Sequence, residues 1–247
     1  MTRPARSPEP DEPSDAPAGQ PGDPIGPMTF EEYLAFEEGS EIRHEFVGGY
    51  AYPYPLDVEM RSGGTRAHSR IVLNIASGLH QRARGTPCDV HSQGFKFRTP
   101  DGKTYYPDVV VGCGPTPPDD SRFLEEACLA VEVISPSTRR NDFGDKRGTY
   151  LGAPSLGAYL IVETTWRAVH RHWRAGDWTW QTTLVSGPDA SVPLPCPAGG
   201  ALSLAEMYDG TSVPDDAPRV RIRRVQENPA EEYADECPEE PEAYAEP

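Results

Sequence analysis

The chain has 247 residues, with 28 Pro, 23 Gly, 39 acidic and 23 basic side chains and a formal charge of −16. Such a length suits one or two domains, and such a charge excludes a broad basic footprint of the DNA-packaging kind. It does not exclude a phosphate-rich substrate, because residues 1–27 carry five acids against two Arg and residues 226–247 carry nine acids and no base, leaving only −4 for the residues between.

Both ends read as disordered, since residues 1–27 hold many Pro and few large apolar groups, and 211–247 form a linker and an acidic Glu/Pro/Ala tail. The core, residues 28–210, opens with a helix at Thr29, which forms a capping box with Glu32 ahead of Tyr33, Leu34 and Phe36. A hairpin follows, turning at Gly48-Gly49. The stretch from His68 places Ile71, Val72, Ile75, Ala76 and Leu79 at helical spacing and closes at Gly85. Two strand-like segments, CDVHSQGFKFRTP and GKTYYPDVVVG, then join at Pro100-Asp101-Gly102 as a meander. CLAVEVIS is apolar enough for a central strand covered on both faces. An uneven helix in SPSTRRNDFGDKRGTYLGAP leads to a second buried strand, GAYLIVET. A hairpin turning at Ala175-Gly176-Asp177 and a short helix over Leu204–Tyr208 complete the order. The fold class is α/β, a mixed sheet with few crossover helices and an extra antiparallel hairpin.

No run approaches the roughly 18 to 20 apolar residues of a membrane span, and the N-terminus lacks a signal peptide's apolar stretch, so the expectation is a cytoplasmic protein without a membrane partner. The five Cys show no CxxC spacing, which favours reduced thiols over a zinc knuckle or a disulfide framework. Only three Lys (Lys96, Lys103 and Lys146) stand against 20 Arg.

Chemistry concentrates in YYPDVVVG, LAVEVIS and DFGDKRGTY. Asp108 begins one buried strand and Glu132 lies inside another, flanked by Ala130, Val131, Val133 and Ile134. A carboxylate in an apolar strand is costly unless it is paired, hydrogen-bonded or bound to a cation. Two on adjacent strands can hold a hard ion such as Mg²⁺, which commonly takes one or two protein carboxylates and leaves room for water and substrate phosphate. Lys146 is the candidate ammonium for orienting water or offsetting charge on phosphate. The plainer alternatives are Arg partners for the two acids and a surface i, i+4 pair of Lys146 with Asp142.

The order Pro107-Asp108, then Glu132-Val133-Ile134, resembles the PD-(D/E)xK nuclease superfamily. More narrowly, TFEEYLAFEE, RHEFVGGYAY, HSRIVLNIASGL, YYPDVVV, VEVISPSTRRNDFGDKRGTY and AYLIVE resemble the Uma family of restriction endonucleases over roughly residues 28–210. The resemblance implies a restriction-endonuclease-like fold, Mg²⁺ (or Mn²⁺) as cofactor, and metal-activated hydrolysis of DNA. It implies Asp108, Glu132 and the Val133 carbonyl as metal ligands and Lys146 as a catalytic residue. The superfamily's usual Lys, two positions after the Glu, is Ile134 here, so its role passes to Lys146 on the following helix. Asp142, Lys146 and Tyr150 fall at i, i+4 and i+8 on one helix face. Glu45 matches a family position as an auxiliary acid, with a salt bridge to Arg43 or a solvent-facing role as alternatives. His68 is an auxiliary residue that caps its helix or approaches the cleft. His170 and His172 read as surface residues, and the four Trp read mainly as cross-strand pairs around the hairpin. Nuclease folds of this type leave a homodimer open. A second reading keeps the fold as a catalytically silent interaction protein whose acidic tail binds a protein partner.

Overall fold

Thr29 accepts the Glu32 N–H while the Glu32 carboxylate accepts the Thr29 N–H, so both halves of the capping box form and start helix α1 (Phe30–Gly39). The computed structural model describes residues 23–54, 65–92, 94–134, 144–197 and 200–217. Strands β1 (Arg43–Val47) and β2 (Tyr50–Tyr54) pair antiparallel with Val47 opposite Tyr50. Their two-residue turn needs positive φ at both positions, and Gly48 and Gly49 supply 60° and 87°. Helix α2 (Arg66–Ala83) begins two residues before the expected start, because the Thr65 side chain accepts the His68 N–H.

The remaining elements are β3 (Cys88–Ser92), β4 (Lys96–Arg98), β5 (Thr104–Tyr105), β6 (Val109–Cys113), β7 (Phe123–Leu124), β8 (Leu129–Ile134), α3 (Asp145–Gly152), β9 (Ala158–Glu163), β10 (Ala168–Arg174), β11 (Trp180–Ser186), β12 (Ser191–Pro193), β13 (Ala201–Ser203) and α4 (Leu204–Met207). They build a six-stranded sheet in the order β11-β10-β9-β8-β6-β3, a five-stranded sheet in the order β2-β1-β5-β4-β7, and the small β12-β13 hairpin. The expected meander is therefore divided. Each of its two segments contributes one strand to each large sheet. Pro107 cannot donate to a ladder, so the chain leaves the smaller sheet after Tyr105 and enters the larger one at Val109.

Strands β8 and β9 run parallel in the middle of the larger sheet, and every residue of both is buried. Alternation sends Val109, Val111, Leu129, Val131, Val133, Leu160 and Val162 to the face covered by Ile71, Ile75 and Leu79 of α2. Val110, Ala130, Ile134, Tyr159 and Ile161 point the other way, against Tyr150 and Ala153 of α3 and against Phe97 and Tyr105 of the smaller sheet. Glu132 and Asp108 belong to this second side.

Two expectations are corrected. Cys88–Cys113 and Cys128–Cys196 are disulfide-bonded rather than reduced; strand pairing sets Cys88 directly opposite Cys113, a proximity that linear spacing cannot show. His172 is a buried group, with Nδ1 2.8 Å from Thr182 Oγ1 and its ring stacked on Tyr159, and His170 Nε2 lies 2.9 Å from Glu163 Oε1. In the β10–β11 hairpin Trp173 pairs across the strands with Gln181 and Trp180 with Arg174, as the cross-strand reading expects, and Arg171 and Arg174 lie over the Trp173 and Trp180 rings.

Candidate active site

Val109 pairs with Val131 in the β6–β8 ladder. One more step along that register brings Asp108 across from Glu132, where opposed side chains on one face stand about 5 Å apart at Cβ. Asp108 Oδ2 accepts the Val133 N–H at 2.8 Å, so its carboxylate caps the ladder just before β6 begins. In a strand the N–H and C=O of one residue point to the same edge. The Val133 carbonyl therefore also faces the Asp108 side, beyond the last β6 partner. Asp108 and Glu132 thus occupy opposed positions on one face of the sheet, with the Val133 carbonyl on the edge toward Asp108. His68 Nε2 of α2 lies 3.4 Å from Asp108 Oδ2, so this side chain reaches the cleft from inside the first helical turn rather than capping the helix.

Lys146 approaches from α3. Its Nζ is 2.8 Å from Glu45 Oε1 on β1 and 3.3 Å from Glu132 Oε1 on β8, so it bridges the two large sheets. Lys146 is 0 % exposed, Glu132 2 % and Glu45 6 %. Burying an ammonium costs several kcal/mol unless charge and hydrogen bonds compensate, and here two carboxylates do so. A surface pair for Lys146 and a solvent-facing role for Glu45 are thus excluded by burial. Nor does Glu45 pair with Arg43 in the way expected, since Glu45 turns to Lys146 while the Arg43 guanidinium sits 5.6 Å from the Tyr106 ring centroid. Asp142, the other residue expected on this helix face, lies outside the described residues.

Tyrosines enclose the ammonium. Tyr150, one turn beyond Lys146, donates its hydroxyl to Glu132 Oε1 at 3.3 Å. Burial and then the Glu132 charge push this phenol well above its usual range, so it stays a donor. The Tyr54 ring centroid lies 4.4 Å from Lys146 Nζ, within cation–π range. Lys146 pulls the Tyr54 phenol down, but burial and the charges of Glu132, Asp108 and Glu45 outweigh it, and the net shift is upward. Tyr105 completes the wall, hydrogen-bonded to Thr149 of α3. Sequence reasoning missed Tyr54 and Tyr105. The aromatic alternation of Tyr50, Tyr52 and Tyr54 was a usable signal for the first. It also missed Glu163, a buried acid in β9 on the same face as Glu132, opposite Ile134 in the β8–β9 register.

Two polar anchors hold this geometry. Glu37 of α1 accepts the His44 N–H at 2.9 Å and the Tyr106 hydroxyl at 2.6 Å, and Tyr33 donates to the His44 carbonyl at 2.6 Å. These bonds fix the residue before Glu45 and the residue two before Asp108. Arg174 of β10 donates to the carbonyls of Leu156, Ala153 and Leu151, tying down the end of α3.

A mixed sheet with one parallel β8-α3-β9 crossover and an acidic pair where β6 begins is the arrangement of a nuclease-like α/β fold. The crystal structure of "a putative nuclease belonging to DUF820" from Anabaena variabilis superposes with a TM-score of 0.59 at 17% identity, covering 74% of this chain and 98% of that one, which shows the fold. The family model Uma2, described as "Putative restriction endonuclease", matches residues 30–205, and the chain belongs to that family. Two relatives from Synechocystis sp. are similar along most of their length. The uncharacterized protein slr1290 is 30% identical over 164 residues, which are 66% of this chain and 83% of the relative. The uncharacterized protein sll1609 is 26% identical over 168 residues, 67% of this chain and 91% of the relative.

Proposed function

We propose that this chain is a Mg²⁺-dependent endonuclease that hydrolyses DNA phosphodiester bonds. What supports the reading is the β6–β8 register that sets Asp108 across from Glu132, with Asp108 bonded to the Val133 N–H and Lys146 Nζ 3.3 Å from Glu132. The donor set fits a hard ion, because Mg²⁺ accepts one or two carboxylates and leaves its other positions to water and phosphate. Asp108, Glu132 and the Val133 carbonyl would hold it. When bound, Mg²⁺ polarises the phosphodiester and lowers the pKa of an attacking water.

Three carboxylates (Asp108, Glu132 and Glu45) and one ammonium give the cleft a formal charge that one divalent ion offsets. Lys146 positions water or phosphate, with its ammonium held between Glu45 and Glu132 so that it points to one place. Glu45 is auxiliary, fixing that ammonium from the second sheet. Tyr150 orients Glu132 by its hydroxyl, and His68 orients Asp108. The domain carries no large positive excess, so DNA affinity depends on these local contacts and falls steeply with salt.

The test is cleavage of supercoiled plasmid and of single-stranded DNA by purified protein with Mg²⁺ or Mn²⁺. Activity is expected to vanish with chelator and in both Asp108→Ala and Glu132→Ala. Equal cleavage by the wild type and both variants would identify a contaminating nuclease and sink the reading.

A further inference from the structure

Four of the five cysteines gather at the end of the six-stranded sheet away from the acidic cleft. Cys113 ends β6, five residues beyond Asp108 and so about 17 Å along an extended strand. Cys88 stands opposite it in the β3–β6 register. The Cys128 N–H donates to the Val111 carbonyl at 2.7 Å, which fixes Cys128 beside the same strand end just before β8. Cys196 arrives on the chain between β12 and β13, 68 residues later. That segment comes close because residue 157 is glycine: a Cβ there would lie 2.9 Å from Pro195 Cβ and 3.4 Å from the Cys128 carbonyl oxygen.

The sulfurs of the two pairs touch. Cys113 Sγ is 3.4 Å from Cys128 Sγ, and the sulfurs of Cys113, Cys128 and Cys196 all lie within 4.8 Å of one another. Two independent disulfides require no such contact between pairs. A tetrahedral thiolate site does require it, because Zn–S bonds of about 2.3 Å set the sulfurs about 3.8 Å apart. Cys113 lies at the surface, Cys128 is half-buried and Cys196 is buried.

We propose that the reduced protein binds one Zn²⁺-class ion through Cys88, Cys113, Cys128 and Cys196, and that the two disulfides are the oxidised form of the same centre. In the reduced, loaded form four thiolates hold the ion. Oxidation forms two S–S bonds and releases the ion. The four electrons pass to two equivalents of a low-molecular-weight disulfide, which become four free thiolates. The absence of CxxC spacing does not oppose this, because the ligands come from two strands, the residue before β8 and a connecting segment rather than from a knuckle. The centre clips β3, β6, β8 and the β12–β13 connection together, and it is independent of the nuclease reading.

The experiment uses the full chain, reduced, freed of reductant under anaerobic conditions and titrated with Co²⁺. One equivalent should produce the near-ultraviolet thiolate-to-cobalt charge-transfer band and the visible bands of a tetrahedral ion, both abolished by added Zn²⁺. These bands should persist in Asp108→Ala and Glu132→Ala, since an oxygen site gives no thiolate charge transfer. They should disappear when Cys113→Ser and Cys128→Ser are combined. Gly157→Ala, which keeps all four cysteines, should lower the Co²⁺ affinity about tenfold by pushing Pro195, and with it Cys196, away. A folded, fully reduced protein whose thiols all titrate and which shows no charge-transfer band would overturn the proposal. So would disulfides that persist under strong reductant in the folded chain, or bands that survive the double serine variant.

Discussion

Replacing Lys146 by Met removes an ammonium from a fully buried position while keeping most of the side-chain volume. Glu45 loses a partner 2.8 Å away, and Glu132 keeps the Tyr150 hydroxyl but loses a charge 3.3 Å away. Removing one member of a buried ion pair costs about 3–5 kcal/mol, chiefly because the other charge is left uncompensated. For a domain of this size each kcal/mol moves Tm by about 2–4 °C, so a drop of roughly 10 °C is expected. Glu45→Gln combined with Lys146→Met should be less destabilised than the two single changes together, with a coupling of about 1–3 kcal/mol. Urea and thermal melts followed by circular dichroism, with chelator present so that no divalent ion contributes, measure all four corners of the cycle. A Lys146→Met protein within about 0.5 kcal/mol of wild type, or additive single changes, would refute the bridge between the two sheets.

Other outcomes follow from neighbouring contacts. Arg174→Met strips hydrogen bonds from the Leu156, Ala153 and Leu151 carbonyls and should cost about 2 kcal/mol, with Arg174→Lys recovering little because an ammonium cannot reproduce the planar fork. Denaturation midpoints for the two variants check this, and full recovery by Lys would disprove the carbonyl-clamp role. His172 is pulled from 6.5 down to about 4 by burial first, with Arg147 and His170 adding to the effect. The unfolded chain therefore takes up a proton in that window that the native state refuses. Stability contributed by the neutral ring is complete above 6.5 and is lost as pH falls toward 4, by about 3 kcal/mol at most. Urea midpoints at about pH 5 and pH 7.5 should show a smaller acid loss in His172→Gln than in wild type, and equal losses would rule the assignment out.

The acidic pair was legible because an acid in the middle of LAVEVI violates the pattern around it, and burial demands a cause for such a violation. Lys146 was legible for a different reason: in a chain with three Lys, one placed a single turn before a Tyr on the helix after that strand stood out. The Gly48-Gly49 turn and the Thr29 capping box were readable from local backbone chemistry alone. What escaped depends on which strands become neighbours. The same alternation in GKTYYPDVVVG fits one strand or two, and only the docking of two sheets shows that Pro107 marks a crossing point between them. Tyr54 could not be linked to Lys146, nor Cys88 to Cys113, because each pair meets through tertiary pairing rather than linear spacing. His172 looked like a surface residue because its neighbours in AVHRHWR are polar, yet both flanking strands cover it.

The Glu45–Lys146 bridge also sets an order for the emergence of the folded chain. Glu45 leaves the ribosome roughly a hundred residues before its counter-ion, a delay of about 5–20 s at ordinary synthesis rates. Until α3 arrives, β1 carries an acid with no ammonium to offset its burial, so closing the first sheet over the second is disfavoured. The cleft is thus completed late, after β8 and α3 have been made. A chain truncated before α3 lacks the ammonium that links Glu45 of one sheet to Glu132 of the other.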